Sequence, residues 1–263
     1  AKGVNVAPPG EDLEAGAPLL EKGRVADARH VAALAAAGAD RVRVHRRPRA
    51  AVISTGDELV PPGRSRARGR VHDSNGVSFA SALRAAGADV VHVGSAPDRE
   101  EALRAELETA LSASPDLVLT TGGVSVGLRD LVPAAWREAG LEELFHGVAI
   151  KPGKPVLAGD VPGRGPQGRD VRVVGLSGAP PANAVAWAAL VRPMLLRLGG
   201  RRHVMPRRVR VRVERGYPKE ADMTRLLWCS VRGGDEPLDG SLAPVLDDAR
   251  LAGICRANAL VVM

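Results

Sequence analysis

Apolar residues recur along this chain in two alternating registers. Between residues 49 and 198, short apolar runs of strand length alternate with longer segments whose apolar positions repeat every three or four residues. The pattern predicts strands at 50–54, 89–93, 117–121, 156–159 and 171–176. Helices are predicted at 74–86, 98–112, 131–139 and 183–198. Such alternation predicts an α/β fold: a largely parallel sheet with helices on both faces, which binds ligands at the carboxyl ends of its strands. Before it, residues 4–24 read as short extended pieces around Pro8-Pro9-Gly10 and Ala15-Gly16. A helix follows from Ala28 to Ala37, capped by Asp27 and closed by Gly38. After it, Val209-Arg210-Val211-Arg212-Val213 alternates with period two, and Gly233-Gly234 and Asp239-Gly240 read as turns. The expected division is a remnant of an upstream domain with a linking helix at 1–46, an α/β domain at 47–200 and a small β domain at 201–263.

With 45% hydrophobic and 25% charged residues, 263 residues can bury a core, but aromatics make up only 2%. That shortage removes the stacking platforms of many single-strand and RNA binders. The net charge of +7 is carried almost wholly by arginine, and its densest stretches, 46–49 and 201–215, flank predicted elements rather than forming one face. No nucleic-acid partner is expected. Two cysteines, Cys229 and Cys255, suggest neither a disulfide scaffold nor a metal site and fit a cytoplasmic location. The longest apolar stretch, 184–198, is interrupted by Arg192-Pro193, so no membrane association is expected.

Three loops carry candidate chemistry. Ser54-Thr55-Gly56-Asp57-Glu58-Leu59 puts a hydroxyl, a glycine and two carboxylates after a strand, suited to orienting a polar ligand or helping to hold a cation, or to making a solvated turn. Residues 120–130, Thr-Thr-Gly-Gly-Val-Ser-Val-Gly-Leu-Arg-Asp, join a strand to a helix. The amides around Gly122, Gly123, Ser125 and Gly127 can cradle a phosphate, and Asp130 either ligates magnesium beside it or caps the helix at Leu131. Lys151-Pro152-Gly153-Lys154-Pro155 places two of only a few lysines three apart, with prolines holding the loop extended. Asp73 before Ser74 reads as a helix cap, and Asp98 with Glu101 as an Asp-initiated capping box. His146 reads as a strand residue rather than a ligand.

These loops, in this order and spacing, together with Asp73-Ser74-Asn75 and the closing Ala257-Asn258-Ala259-Leu260, resemble the MoeA-type molybdopterin molybdotransferases, the family that includes the gephyrin E domain. The resemblance implies a molybdopterin-binding α/β domain followed by a β-barrel-like domain, in a homodimer. It implies insertion of molybdate into adenylylated molybdopterin, with magnesium-assisted pyrophosphate cleavage and release of AMP. Carried over by position, Glu58, Asp98 and Asp130 match active-site acids, with Asp73 and Asp130 toward the metal. Thr55, Gly56, Asp57, Ser74, Gly122, Gly123, Ser125, Gly127, Lys151, Lys154, Ser177 and Pro180 match substrate-binding positions. Implied partners are other molybdenum cofactor biosynthesis proteins or molybdoenzyme apoproteins. The chain departs from the family at Gly175-Leu176-Ser177-Gly178-Ala179-Pro180, where Gly-Leu-Pro-Gly-Asn-Pro is usual, and the N-terminal Asp-Gly-Tyr-Ala motif is absent from the sequence. The alternatives are therefore a pterin-binding paralogue or carrier without turnover, and the related molybdopterin adenylyltransferase.

Overall fold

The computed structural model describes residues 6–124, 131–213, 222–231, 238–241 and 251–262. Helix α1 (Ala28–Ala36) begins at Asp27, whose carboxylate accepts the N–H groups of Arg29 and His30, and ends at a left-handed Gly38. Both caps are as the sequence predicts. Upstream, the described residues from 6 to 24 make turns and bends but no strand, contrary to the extended pieces expected there.

The α/β unit opens with β1 (Arg49–Thr55), β2 (Leu59–Val60) and β3 (Val71–His72), followed by α2 (Ser74–Ala85), β4 (Asp89–Ala96) and α3 (Glu100–Ser112). Then come β5 (Leu117–Thr121), α4 (Leu131–Glu138), β6 (Glu142–His146), β7 (Ile150–Lys151), β8 (Val156–Val161) and β9 (Val171–Leu176). Helix α5 (Pro180–Ala186) runs through a π-helical turn, Trp187–Val191, into α6 (Arg192–Leu198). Six strands form one sheet in the order β4-β1-β5-β9-β8-β6. The first four are mutually parallel, while β8 is antiparallel to β9 and β6 is antiparallel to β8.

Side chains alternate across the sheet, as strand geometry requires. Ala51 and Ile53 of β1 join Val118, Leu157 and Val173 beneath Leu103, Leu107 and Leu111 of α3 and Val132 and Trp136 of α4. Ala50 and Val52 face the other way, with Leu119, Val174 and Leu176, against Phe79 and Leu83 of α2 and Val191 and Leu195 of the last helix. Both faces are covered, which is why β1 and β5 read as continuous apolar runs. Each fully buried leucine here is worth about 1.5–3 kcal/mol of transfer free energy.

Three predicted boundaries need correction. Helix α3 starts at Glu100, not Asp98, and its N-cap is Arg99, which makes no side-chain capping bond; the capping box does not form, because Asp98 is held by a partner 41 residues away. The last helix starts at Pro180, three residues before the predicted Asn183; prolines at its first two positions need no hydrogen-bonded N–H. Asp239 and Gly240 lie within a strand rather than a turn.

The C-terminal residues form β10 (Val211–Val213), β11 (Thr224–Val231), β12 (Leu238–Ser241), the short α7 (Leu251–Ile254) and β13 (Ala259–Val262). The strands pair in the order β10-β12-β11-β13. Asn258 holds this end of the chain by bonding both the N–H and the carbonyl of Val231, at 2.7 and 2.8 Å. Strand β7 of the α/β unit adds to β11, with Lys151 opposite Arg225, so Lys151 lies in a sheet rather than a free loop. No pairing among the described residues closes these strands into a barrel. Gly233 and Gly234, predicted to turn, lie outside the described residues.

Candidate functional site

The register places the ends of four parallel strands on one edge of the sheet. Thr55 lies opposite Ala96, Ser54 opposite Thr121, and Thr121 opposite Leu176. The loops beginning at Gly56, Pro97, Gly122 and Ser177 therefore leave from the same edge. Strand β8 enters there too, since Val156 pairs with Leu176, which brings in the Lys151–Pro155 loop. The chain leaves β1 through α2 on one face of the sheet and β5 toward α4 on the other. Between them is the crevice where ligands bind in open α/β sheets.

Glycine makes this crevice narrow. Gly122 has φ of +97°, and a Cβ there would collide with the Thr55 carbonyl oxygen and sit 2.7 Å from the Thr55 hydroxyl. Its N–H donates to the Leu176 carbonyl at 2.9 Å, and Gly178 lies beneath it, a Cβ there falling 3.7 Å from the Gly122 Cα. Thr55 Oγ1 donates to the Thr121 carbonyl at 3.3 Å. Asn75, at the start of α2, ties in the fourth loop by donating to the Gly178 carbonyl at 2.9 Å.

The acids lie to one side. Asp57 and Asp98 exchange hydrogen bonds, the Asp57 N–H donating to Asp98 Oδ2 at 3.4 Å and the Asp98 N–H to Asp57 Oδ1 at 3.2 Å. The pair fixes the loop after β1 against the loop after β4 while both side chains stay exposed. Glu58 folds back over Gly56, whose φ is +152°; a Cβ there would sit 2.7 Å from both Glu58 carboxylate oxygens. The Glu58 carbonyl also accepts the Val71 N–H at 2.8 Å, so the β2–β3 pair straps this acid in place. Asp73 is the N-cap of α2, its Oδ1 accepting the Gly76 N–H at 2.9 Å, and Ser74 is exposed beside it. Asp130, Ser125 and Gly127 lie outside the described residues.

Lys151, at the end of β7, and Lys154, on the loop that enters β8, are both exposed, and Gly153 between them packs against the first turn of α5, 3.6 Å from the Ala182 carbonyl on a Cβ basis. Ser177 and Pro180 flank the exposed Gly178 and Ala179. His146 sits in β6 and bonds the Val124 carbonyl at 2.8 Å, a structural role as expected.

Two features escaped sequence reasoning. A cleft of about 320 Å³ beside the acids is lined by Gly56, Asp57, Arg70, Ser95 and Arg99 among others. Its arginines come from loops 29 residues apart in sequence, and neither makes an ion pair among the described residues. The alternation Arg64, Arg66, Arg68, Arg70 was the available signal. The second is Asn183, only 4% exposed, whose carboxamide oxygen and nitrogen both lack partners among the described residues, as does the Ser177 hydroxyl. Among the described residues no three His, Cys, Asp or Glu side chains cluster as a metal site.

The sequence pattern of the probable molybdopterin-binding domain family matches residues 51–197, from β1 to the end of α6. This chain belongs to that family. Longer relatives carry it too: a Haemophilus influenzae protein named molybdopterin molybdenumtransferase is 34% identical over 201 residues, covering 75% of this chain and 47% of that protein. A Mycobacterium tuberculosis protein, molybdopterin molybdenumtransferase 2, is 34% identical over 198 residues, with 73% and 47% coverage. Among solved structures, the molybdopterin biosynthesis MoeA protein of Pyrococcus horikoshii aligns with 97% of this chain and 59% of its own at a TM-score of 0.77 and 30% identity. The resemblance to MoeA-type proteins and the α/β fold are thus borne out. The chain spans about half the length of the curated relatives it matches. No helix among the described residues is long and apolar enough to cross a membrane.

Proposed function

We infer that this chain carries the pterin-binding part of a molybdopterin molybdotransferase, which inserts molybdate into adenylylated molybdopterin and releases AMP. The observation that carries the reading is the meeting of four polar loops at one edge of the sheet, with Gly122 packed on Thr55 and Asp57 paired with Asp98. The names of the relatives supply the substrate class.

In this reading the close packing of Gly122 on Thr55, with Gly56 and Gly123 beside it, lets backbone N–H groups approach the phosphates, and Ser125 and Gly127 are assigned to the same role by their place in the sequence. Lys151 and Lys154 supply compact positive charge to the pterin phosphate or molybdate, and Ser74, Ser177 and Pro180 line the pterin side. Arg70 and Arg99 take the remaining anionic oxygens in fork geometry. The donors fit a hard cation, because magnesium needs only one or two carboxylates when substrate and water complete its shell. Asp73 and Asp130 would hold it, and it would supply charge neutralisation at the pyrophosphate. Glu58, Asp57 and Asp98 position molybdate and the attacking oxygen. The protein works as a homodimer in the cytoplasm, delivering its product to later cofactor proteins or apoenzymes.

The test is incubation of the protein with adenylylated molybdopterin, molybdate and magnesium, with AMP followed by chromatography. Molybdate-dependent AMP release that falls about 10²–10³-fold in Asp98→Asn is the expected result. Tight pterin binding without release would assign the chain as a carrier, a reading favoured by the Ser177–Pro180 departure. Formation of adenylylated pterin from ATP would assign the adenylyltransferase.

A further inference from the structure

A second concavity lies away from the carboxyl edge, where the N-terminal segment docks beside the end of α6. Gly23, at φ of +88°, accepts the Arg202 N–H at 2.9 Å, and a Cβ on it would sit 3.0 Å from the Arg202 Cβ. The contact closes one side of a cavity of about 610 Å³. Five of its nine lining residues, Arg24, Arg29, His30, Arg201 and His203, carry basic side chains, in a chain with 37 Lys and Arg and 6 His among 263 residues. Its one carboxylate, Asp27, is already committed: it accepts both α1 N–H groups, the Arg29 guanidinium at 2.7 Å and His30 Nδ1 at 2.7 Å. Glu21, the nearest other acid in sequence, pairs with Arg202. Among the described residues Arg24, Arg201 and His203 have no acidic partner.

We propose that this cavity is a second ligand site, binding a small molecule that carries a phosphate group. Guanidinium forks match phosphate oxygens two at a time and are the usual choice for such anions. Asp27 offsets one positive charge through its pair with Arg29 and leaves Arg24 and Arg201 as the uncompensated cations of the lining. The volume exceeds what a bare anion needs and lies within the ordinary range for small organic ligands, while Val25 and Ala33 give the non-phosphate part an apolar wall. Because the walls come from both the N-terminal segment and the 201–203 turn, a bound phosphate would cross-link the two. The site is separate from the pterin-binding edge and stands whether or not the chain inserts molybdate.

The experiment titrates the protein with inorganic phosphate and, in a parallel arm, with AMP, and reads the ring protons of His30 and His203 by NMR at physiological salt. Saturable shifts of both rings are expected, tighter with AMP if the apolar wall is used and equal if phosphate alone is read. Arg24→Ala with Arg201→Ala should raise the dissociation constant at least about tenfold, whereas Lys151→Ala with Lys154→Ala should leave it unchanged. Non-saturating shifts, or equal losses in the two double variants, would overturn the proposal in favour of a diffuse basic surface. Saturation confined to other histidines would overturn it as well.

Discussion

Asp116 and Asn183, buried at opposite edges of the central sheet, are treated in opposite ways. At the amino edge, Asp116 is 7% exposed and fully engaged: both its oxygens meet the Arg46 guanidinium, at 2.5 and 2.6 Å, and Oδ2 also accepts the Arg49 N–H at 2.8 Å. The Arg49 side chain closes over the Ala113 and Ser114 carbonyls. Burial alone would raise the Asp116 carboxyl, but the Arg46 and Arg49 bonds outweigh it and hold the group below the usual carboxylate range. At the carboxyl edge, Ser177 and Asn183 are enclosed with no partner among the described residues, and Asp57 and Asp98 stay exposed. A buried polar group without a partner costs about 1–3 kcal/mol. Asp116 thus spends its polarity on stability, anchoring the linker before β1, whereas Asn183 and the Ser177 hydroxyl stay unmatched among the described residues, as does Asp160 Oδ1 at the amino edge.

The largest effect is expected where that polarity is spent. Asp116→Ala leaves a guanidinium and a backbone N–H unmatched; because Arg46 remains 41% exposed, the cost in urea unfolding should be about 2–3 kcal/mol, below that of a fully buried pair. The pH dependence has a definite sign. A carboxyl whose folded pKa lies below its unfolded value stabilises above the unfolded value and loses that contribution as pH falls through the folded one. The stability gap between parent and Asp116→Asn should therefore be widest near neutrality and narrow in acid. A gap that widens in acid would contradict the assignment.

Next in size is Gly122→Ala, where positive φ and the collision with Thr55 should cost about 1–3 kcal/mol in a thermal melt. Pterin affinity should fall by more than the melt implies, since the loop must move off Thr55. Unchanged affinity would separate Gly122 from the site.

The smallest effect has the opposite sign. Asn183→Leu removes two unmatched polar atoms while keeping the branched four-atom side-chain skeleton, and should raise stability by about 1 kcal/mol while weakening pterin binding, the trade expected of a functional edge. A loss of stability would show that the carboxamide is satisfied, and the contrast between the edges would then fail at that residue.

What the sequence made legible follows the same division. The alternation of strands and helices, the Asp27 and Asp73 caps and the glycine loops were readable because periodicity and capping are local. Of strand β6 only His146 was readable, because Glu142-Glu143-Leu144-Phe145 is exposed and carries no alternation, and β2, β3 and β7 are only two residues long. Asp98 looked like a cap because its neighbours fit one; Asp57 overrides that choice from another loop. Asp116 gave no local signal at all, since its partners are 67 and 70 residues away. Arg70 and Arg99 meet at one cleft only once β1 and β4 are paired.

The most direct measurement of the central claim is equilibrium binding of adenylylated molybdopterin to the parent chain and to two charge-matched double variants. If the carboxyl edge is the site, Lys151→Ala with Lys154→Ala should weaken binding by at least about tenfold, each lysine lost removing a charge-assisted contact. Arg207→Ala with Arg208→Ala, distant in sequence from the converging loops, should change it little and only at low salt. Equal losses in the two variants, erased together by salt, or no pterin binding by the parent, would contradict the account.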